Sequence, residues 1–200
     1  MPAQHLLIAT RNAHKTDEIR QMLGAGFIVE DLNARSHWPE IEETADTFLG
    51  NASLKAVGIS AMYDGLVLSD DSGLEVDALN GAPGVRSARY SGENATDASN
   101  RALLLERLAG VRGKARTARF RCVIVLAKAG EVLAHFGGAV EGIIINEEKG
   151  EHGFGYDSLF VPEGHCETFA QLPSETKNQL SHRARAMEKV IQHLASRDAS

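Results

Sequence analysis

The chain has 200 residues, of which 43% are hydrophobic and 24% are charged, the balance of an ordinary soluble globular protein. The formal net charge of −6 excludes a protein that an overall basic field holds on DNA or RNA. No apolar run approaches the roughly 20 residues that span a bilayer, and the N-terminus has no basic leader, so we expect neither a membrane segment nor a signal peptide. Cys122 and Cys166 are the only cysteines and predict reduced thiols in a cytoplasmic protein.

The chain begins with a predicted strand, a polar turn and a helix. Residues 5–10 are apolar and predict a buried strand, and residues 16–23 have helical spacing with Gly24 as the stop. The turn between them directs backbone N–H groups and a helix N-terminus toward an anion, and Lys15 supplies a charge for phosphate. The alternative is an ordinary helix N-cap with a solvated lysine.

A short strand at 27–32, an acidic segment and a helix at 47–63 follow. Three glutamates of the acidic segment lie within four residues of one another: Glu40, Glu42 and Glu43. They form either a solvated loop or a patch that faces a metal. Lys55 lies inside the predicted helix, where a lysine is more often on the surface than functional.

The stretch at 67–92 carries the polar pattern around which the other elements are expected to gather. Its apolar start is followed by acidic and small residues: Asp70, Asp71, Ser72 and Gly73. We expect a tight turn at a sheet edge here, before a second strand at 74–79. Mg²⁺ takes one or two carboxylates with water and substrate phosphates, so this turn suits that ion, and a purely structural polar turn is the alternative.

The second half of the chain predicts a helix at 96–108 with Thr96 as its N-cap. A strand at 120–127 and its antiparallel neighbour at 131–140 follow, joined by a turn. The loop at 153–157 frames aromatic residues with glycines and precedes a short strand at 158–161. Phe154 of this loop can stack on a nucleobase, and an aromatic plug in the core is the alternative.

A C-terminal helix is predicted from 174–178 to about residue 195, with Ser174 or Ser181 as its cap. Four basic residues crowd its start: Lys177, His182, Arg183 and Arg185. Positive charge is unfavourable at a helix N-terminus. We therefore expect these side chains to serve something outside the helix, with a solvated basic face as the alternative.

These elements predict a fold of the α/β class, a mixed αβ structure in which two lobes surround a cleft. Strands and helices do not alternate regularly along the chain, so a mixed sheet is expected rather than a doubly wound parallel one. The sequence shows no internal repeat, linker or low-complexity tract. Residues 1–200 are therefore expected to form a single domain without a separable linker.

Five motifs in this order resemble the inosine triphosphatase (RdgB-type) family, the house-cleaning dITP/XTP pyrophosphatases. The third motif is long and highly specific, and the five together span nearly the whole chain. They are TRNAHK at 10–15, the segment at 42–56 with EET, NA and KA, the blocks SDDSGL, GAPG and SARYSG between 69 and 92, GFGYD at 153–157, and SHR at 181–183.

The resemblance implies that the chain hydrolyses non-standard purine nucleoside triphosphates (ITP, dITP and XTP) to the monophosphate and pyrophosphate. It also implies a Mg²⁺ cofactor, a homodimer, a small-molecule nucleotide as the partner rather than nucleic acid or membrane, and an elongated mixed sheet with flanking helices and two lobes around a central cleft. The same resemblance assigns the site residues. Asp71 is the catalytic carboxylate and a metal ligand, with Lys15, Lys55 and Asp70 in the same polar cluster.

The remaining assignments also come from the resemblance. An upstream glutamate, either Glu42 or Glu43, completes the metal site, and Ser72 contacts substrate. The triphosphate is held by Thr10, Arg11, Asn12, Ala13, His14 and Lys15. The base and sugar are held by Phe154, Gly155, Tyr156 and Asp157, with Lys177, His182 and Arg183 completing the base and phosphate contacts.

Physical chemistry is consistent with these roles. Adjacent Asp70 and Asp71 repel each other, so at least one needs a neighbouring cation to stay ionised near neutral pH. ATP is rejected if the site donates hydrogen bonds to a 6-keto oxygen, because a 6-amino group leaves those donors unpaired. Backbone amides with His182 or Arg183 are the candidate donors.

Two positions depart from the family pattern. Arg11 replaces a frequent glycine and either contacts phosphate or points to solvent, and Gly50 replaces a glutamate, which is expected to loosen its helix turn. Two other functions compete with the pyrophosphatase. A Maf-like enzyme for modified pyrimidine nucleotides lacks the GFGYD and SHR motifs, and a nucleotide sensor without hydrolysis would be free to lose Lys15 and Asp71.

Overall fold

The structure, a computed structural model, describes residues 4–198. Five helices and six strands are named for the description that follows. The strands are β1 (Gln4–Ile8), β2 (Phe27–Asp31), β3 (Leu66–Val76), β4 (Thr117–Lys128), β5 (Glu131–Ile144) and β6 (Phe160–Pro162), and the helices are α1 (Ala13–Leu23), α2 (Phe48–Ser60), α3 (Asp97–Arg107), α4 (Ser174–Leu180) and α5 (His182–Asp198). Within residues 4–198 no helix is long and apolar enough to cross a membrane.

The strands form one mixed sheet in the order β2-β1-β3-β4-β5-β6. β1 pairs in parallel with both neighbours, so Leu6 lies opposite Val29 on β2 and opposite Leu66 on β3. β5 and β6 are antiparallel. A two-residue connection joins β4 to β5, and its residues Ala129 and Gly130 have φ of 53° and 80°, the backbone of a tight hairpin turn. The expected mixed sheet with flanking helices is therefore confirmed.

The predicted turn at Asp70–Gly73 is wrong. β3 runs through these residues without a break and lies third of six strands, so it is not at a sheet edge. Polar turn formers are tolerated here because buried cations compensate the carboxylates, a pairing across long sequence distances that local pattern cannot show. The strand expected at 74–79 ends at Val76, since Asp77–Leu79 forms a 3₁₀ turn.

The C-terminal helix is also not continuous. Ser181 has φ −67° and ψ 161°, an extended conformation that separates α4 from α5. Of the two expected caps, Ser174 is wrong because Pro173 occupies the N-cap position of α4, whereas Ser181 directly precedes α5. Thr96 caps α3 as expected, by accepting a backbone N–H in its first turn. α1 begins at Ala13 rather than at residue 16, and Asn12 and Thr47 cap α1 and α2 in the same way.

The chain divides into two compact units, each with its own core. Unit 1 runs up to Asp71 and adds Cys122–Gly138 and the segment from Arg183 onward. Its main core comes from β1, α1 and α5, among them Leu6, Ile8, Ile19, Met187 and Val190. Unit 2 comprises Ser72–Arg121 and Ala139–His182, with a core that includes Leu74, Leu104, Phe120, Phe160 and Phe169. The assignment of 1–200 to a single domain stays a prediction.

Candidate active site

Lys15 lies in the first turn of α1, where the side chain of Asn12 caps the helix by accepting from the Lys15 backbone N–H at 3.2 Å. The Lys15 ammonium forms an ion pair with Asp70, and its side chain is only 15% exposed. The N-cap of the alternative is therefore present, but its solvated lysine is wrong. Lys15 presents its charge to the interior of unit 1, directly beside β3.

Asp70 is fully buried and surrounded by donors. Arg183 Nε lies 3.0 Å from Asp70 Oδ2, and the Cys122 thiol donates to the same oxygen at 2.9 Å. Burial by itself raises the pKa of this carboxyl, but the charges of Arg183 and Lys15 outweigh it and hold the pKa well below its usual range. Asp70 therefore stays ionised throughout the neutral range.

Arg183 is the largest of the fully buried side chains and is 1% exposed. Its guanidinium also pairs with Glu18, one turn along α1 from Lys15. Burial lowers the Arg183 pKa, and the carboxylates of Asp70 and Glu18 raise it by more, so the net direction is upward. Lys15, Arg183, Asp70 and Glu18 thus form a buried group of zero net charge.

Asp71 follows Asp70 in β3, and successive side chains of a strand project to opposite faces. Lys55 of α2 serves this carboxylate: its Nζ lies 3.6 Å from Asp71 Oδ1 and 2.5 Å from Glu43 Oε1. The same ammonium donates to the backbone oxygen of Asp70 at 2.9 Å. Lys55 is therefore a largely buried member of the site rather than a surface lysine, and it pairs with Asp71 while Lys15 and Arg183 pair with Asp70.

Burial raises the pKa of Asp71 to about 6, helped by the charges of Glu43 and Asp70 and opposed by Lys55. The Lys55 pKa is lowered by burial but raised by more through Asp71 and Glu43, so Lys55 stays protonated. The pKa values of the two neighbouring aspartates are therefore shifted in opposite directions, down for Asp70 and up for Asp71. Such a separation is typical of sites in which one carboxylate is structural and the other handles protons.

The raised pKa of Asp71 predicts that Asp71→Asn stabilises the metal-free protein above pH 6. The carboxyl binds its proton more tightly when folded (pKa about 6) than at its ordinary value of 3.8. Its contribution to the free energy of unfolding therefore falls as the pH rises from about 4 to about 6. The loss amounts to about 2–3 kcal/mol.

Urea unfolding in EDTA at pH 4 and pH 7.5 measures this effect. Asp71→Asn is expected to be the more stable protein at pH 7.5 and to lose that advantage at pH 4. Asp64→Asn, which changes an exposed carboxylate, is the control and should match the wild type at both values. An Asp71→Asn protein that is less stable at pH 7.5 would contradict the buried, destabilising charge.

The acidic residues present here fit a Mg²⁺ ion. Asp71 Oδ2 is buried and, within residues 4–198, has no hydrogen-bond partner. The same part of the chain contains no group of three or more histidine, cysteine or acidic side chains placed to hold a metal. Mg²⁺ needs only one or two carboxylates beside water and phosphate oxygens, which Asp71 and Glu43 supply. Glu42 is exposed, so the geometry favours Glu43 for the upstream glutamate.

The rest of the 10–15 segment surrounds the start of α1. Thr10 Oγ1 accepts from the Asn12 backbone N–H at 3.1 Å, and Ala13 and His14 are exposed in the first helical turn. Arg11 is exposed, and its guanidinium donates to the carbonyls of Leu32 and Trp38 at 2.8 and 2.9 Å, while its contact with phosphate stays a prediction. Arg11 thus anchors the segment that follows β2.

Gly50 does not loosen its helix turn. Its backbone N–H donates to Thr47 Oγ1 at 3.0 Å, within the N-terminal cap of α2. A Cβ at this position would lie 2.5 Å from the Cβ of Ala45. Glycine therefore lets the preceding segment pack against the helix at this point, and a glutamate would require that segment to move.

Unit 2 contains the aromatic loop. Asp157 Oδ2 accepts from the Phe154 backbone N–H at 2.9 Å and from Lys177 Nζ at 2.6 Å. The Lys177 ammonium also lies 4.9 Å from the centre of the Phe154 ring. Gly153 is required here because a Cβ on it would come within 2.2 Å of Asp157 Oδ2. Lys177 and Asp157 therefore form a buried pair that defines the loop.

Other predicted base contacts are packed into the same unit. Tyr156 is 3% exposed and donates its hydroxyl to the Ser87 carbonyl at 2.9 Å, so burial raises its pKa. His182 is 4% exposed and stacks on Phe120, with ring centres 4.9 Å apart. Ser72 lies in β3 and is partly buried. For Tyr156 a role in the core is thus evident, while Phe154 is only partly buried.

Sequence reasoning missed four residues that support these sites: Glu18, Cys122, Asp97 and Arg101. Glu18 and Lys15 share a helix face at i, i+3 spacing, a signal that was available in the sequence. Cys122 lies in an apolar strand, where nothing marks its hydrogen bond to Asp70. Asp97 and Arg101 of α3 contact Gly155 of the loop, and only tertiary structure shows that contact.

Comparison with known proteins shows the family to which the chain belongs. A sequence model of the Ham1 family matches residues 6–193. A dITP/XTP pyrophosphatase of Exiguobacterium sibiricum is 50% identical over 187 residues, covering 92% of this chain and 94% of the relative. One of Geobacter sulfurreducens is 47% identical over 191 residues, covering 94% of this chain and 96% of the relative.

Solved structures agree with the sequence relatives. The Ham1 protein of Staphylococcus aureus superposes with a TM-score of 0.85 at 37% identity, covering 97% of this chain and all of that one. A HAM1 protein from Coxiella burnetii gives a TM-score of 0.86 at 38% identity, covering 96% of this chain and 99% of that one. On both sequence and structure, the chain belongs to the Ham1 family.

Proposed function

We propose that this chain hydrolyses dITP, XTP and ITP to the nucleoside monophosphate and pyrophosphate, and so removes them from the nucleotide pool. The observation that carries the proposal is the position of Asp71, buried beside Lys55 and Glu43 with one carboxylate oxygen unpartnered among residues 4–198. The relatives that share the chain at 43–50% identity are named dITP/XTP pyrophosphatase, which supports the same assignment.

Asp71 is suited to accept the proton of the attacking water. A general base works best when its pKa lies near the operating pH, and burial raises the Asp71 pKa to about 6. At pH 7 to 8 the carboxylate is then mainly ionised. Lys55 holds Oδ1, so the unpartnered Oδ2 is the oxygen that can receive the proton.

The phosphates are assigned to the start of α1. The first helical turn offers N–H groups that attract an anion, and Lys15 and Arg183 keep the buried charge beneath it balanced by pairing with Asp70. A Mg²⁺ ion, held by Asp71 and Glu43 when bound, would neutralise charge on the phosphate oxygens. Pyrophosphate is a good leaving group only when that charge is compensated.

Selectivity for the base is assigned to the aromatic loop and its neighbours in unit 2. Phe154 supplies a ring face, with Lys177 and Asp157 fixing its surroundings. Donors that match a 6-keto oxygen would reject adenine, because the unmatched donors would lose their hydrogen bonds. A homodimer in the cytoplasm is part of the proposal, and the two free thiols, Cys122 and Cys166, are consistent with a reducing compartment.

A substrate panel tests the activity. The protein is incubated with ITP, dITP, XTP, GTP and ATP, with Mg²⁺ or with EDTA, and pyrophosphate is assayed separately from orthophosphate. Mg²⁺-dependent pyrophosphate is expected from ITP, dITP and XTP, with little from GTP or ATP.

Two outcomes would contradict the proposal. Orthophosphate as the first product would indicate a phosphohydrolase that cleaves the terminal phosphate. Tight ITP binding without turnover would indicate a nucleotide sensor. Preferred turnover of modified pyrimidine nucleotides, added to the panel as a further control, would support the Maf-like alternative.

A further inference from the structure

Gly155, in the middle of the aromatic loop, has both of its backbone polar groups bound by side chains of α3. Its N–H donates to Asp97 Oδ2 at 2.7 Å, and its carbonyl accepts from Arg101 at 2.9 Å. Asp97 and Arg101 are four residues apart and therefore lie on the same face of the helix. The two contacts hold the peptide groups on either side of Gly155 in one orientation.

Side-chain packing around the Cβ position does not explain the backbone orientation of Gly155. Its φ is +61°, and, apart from its two neighbours in the chain, no described residue has an atom within 4 Å of the position that a Cβ would occupy. The N–H and carbonyl of Gly155 are therefore oriented by these two hydrogen bonds, whereas Phe154 and Tyr156 on either side have contacts of their own. Phe154 precedes Gly155, and its carbonyl belongs to the peptide group whose N–H donates to Asp97.

The helix that supplies these contacts is itself well anchored. Thr96 and Ser99 form a capping box at its start. Asn100 is buried, accepts from the Ser91 backbone N–H at 2.8 Å and donates to the Ala88 carbonyl at 3.1 Å. Side chains on a rigid helix position the groups of a site more precisely than side chains on loops.

Arg101 has a second partner that explains its fixed position. Its Nε lies 2.8 Å from Glu148 Oε2, an ion pair that lacks hydrogen-bond geometry, and the side chain is 19% exposed. The planar guanidinium can therefore serve Gly155 and Glu148 at the same time, from different nitrogens. A lysine has one ammonium group and cannot reproduce this fork.

We propose that Asp97 and Arg101 are positioning residues that orient the Phe154–Gly155 peptide and thereby set the affinity of the enzyme for the purine base. This inference rests on the proposed function and goes beyond it, since neither residue belongs to the motifs that suggested the activity. Their removal is expected to weaken binding of the base while leaving the phosphate chemistry of unit 1 unchanged.

Steady-state kinetics with ITP tests the proposal on Arg101→Ala and Asp97→Ala. Each is expected to raise KM by about tenfold, the effect of one lost charge-assisted hydrogen bond, with kcat within about twofold of wild type. Arg101→Lys is expected to recover only part of the loss. Arg107→Ala, on the same helix and exposed, is the matched control and should leave both constants unchanged.

Inhibition by inorganic tripolyphosphate separates positioning from general damage. This probe has the phosphates but no base, so its inhibition constant should be the same in wild type, Arg101→Ala and Asp97→Ala. If wild type is active and the variants keep its KM for ITP, the inference is wrong while the proposed function stands. The same holds if tripolyphosphate inhibition weakens in the variants as much as ITP binding does. A wild-type protein that releases no pyrophosphate would overturn the proposed function, and this inference with it.

Discussion

Asp71→Asn is expected to lower the rate of pyrophosphate release from ITP by about 10²–10⁴-fold, the usual contribution of a positioned general base. The asparagine retains the shape of the side chain but cannot accept a proton from water. It also removes a charge from the pair of carboxylates that Lys55 bridges. The loss should appear in kcat rather than only in KM, because proton transfer belongs to the transition state.

The measurement compares kcat for wild type, Asp71→Asn and the exposed control Asp64→Asn at saturating Mg²⁺. The stabilisation expected of Asp71→Asn applies to the metal-free protein, so urea unfolding of the variant at the Mg²⁺ concentration of the assay is measured alongside kcat to separate lost catalysis from unfolding. An Asp71→Asn enzyme that keeps a tenth or more of the wild-type kcat would remove Asp71 from the role of proton acceptor.

Asp70→Asn is expected to lower the free energy of unfolding by about 3–5 kcal/mol, the cost of breaking a buried ion pair from one side. Arg183 and Lys15 would then face a neutral amide in a fully buried position. The Cys122 thiol would lose its ionised acceptor at 2.9 Å. The same substitution is thus expected to destabilise the protein at Asp70 and to stabilise the metal-free protein at Asp71. Cations hold Asp70 ionised, whereas the buried charge of Asp71 destabilises the fold.

Urea unfolding at pH 7.5 measures this second effect. The control is Asp17→Asn, which removes an exposed ion pair with Arg20 on α1 and is expected to cost about 1 kcal/mol or less. Adding Lys15→Met to Asp70→Asn restores charge balance, because Arg183 then retains Glu18, and part of the stability should return. Equal costs for Asp70→Asn and Asp17→Asn would show that the buried group is not a stabilising unit.

Local pattern in the sequence was enough to predict α2, α3 and most of the strands. Thr96 gave the start of α3, because a cap acts within one helical turn. Apolar spacing placed the start of α1 too late and did not show the break between α4 and α5. Motif content likewise brought Lys15, Asp71 and the aromatic loop to notice before any contact was known.

Tertiary structure alone decided how the charges are arranged. β3 continues through Asp70 and Asp71 because Arg183, more than a hundred residues away in sequence, neutralises the buried carboxylate. The contact of Lys55 with Glu43 and the contacts of Arg11 with two distant carbonyls likewise exist only in the folded chain. Local residue preferences cannot encode such pairs, since their energy comes from burial and from charges that meet only in the folded chain.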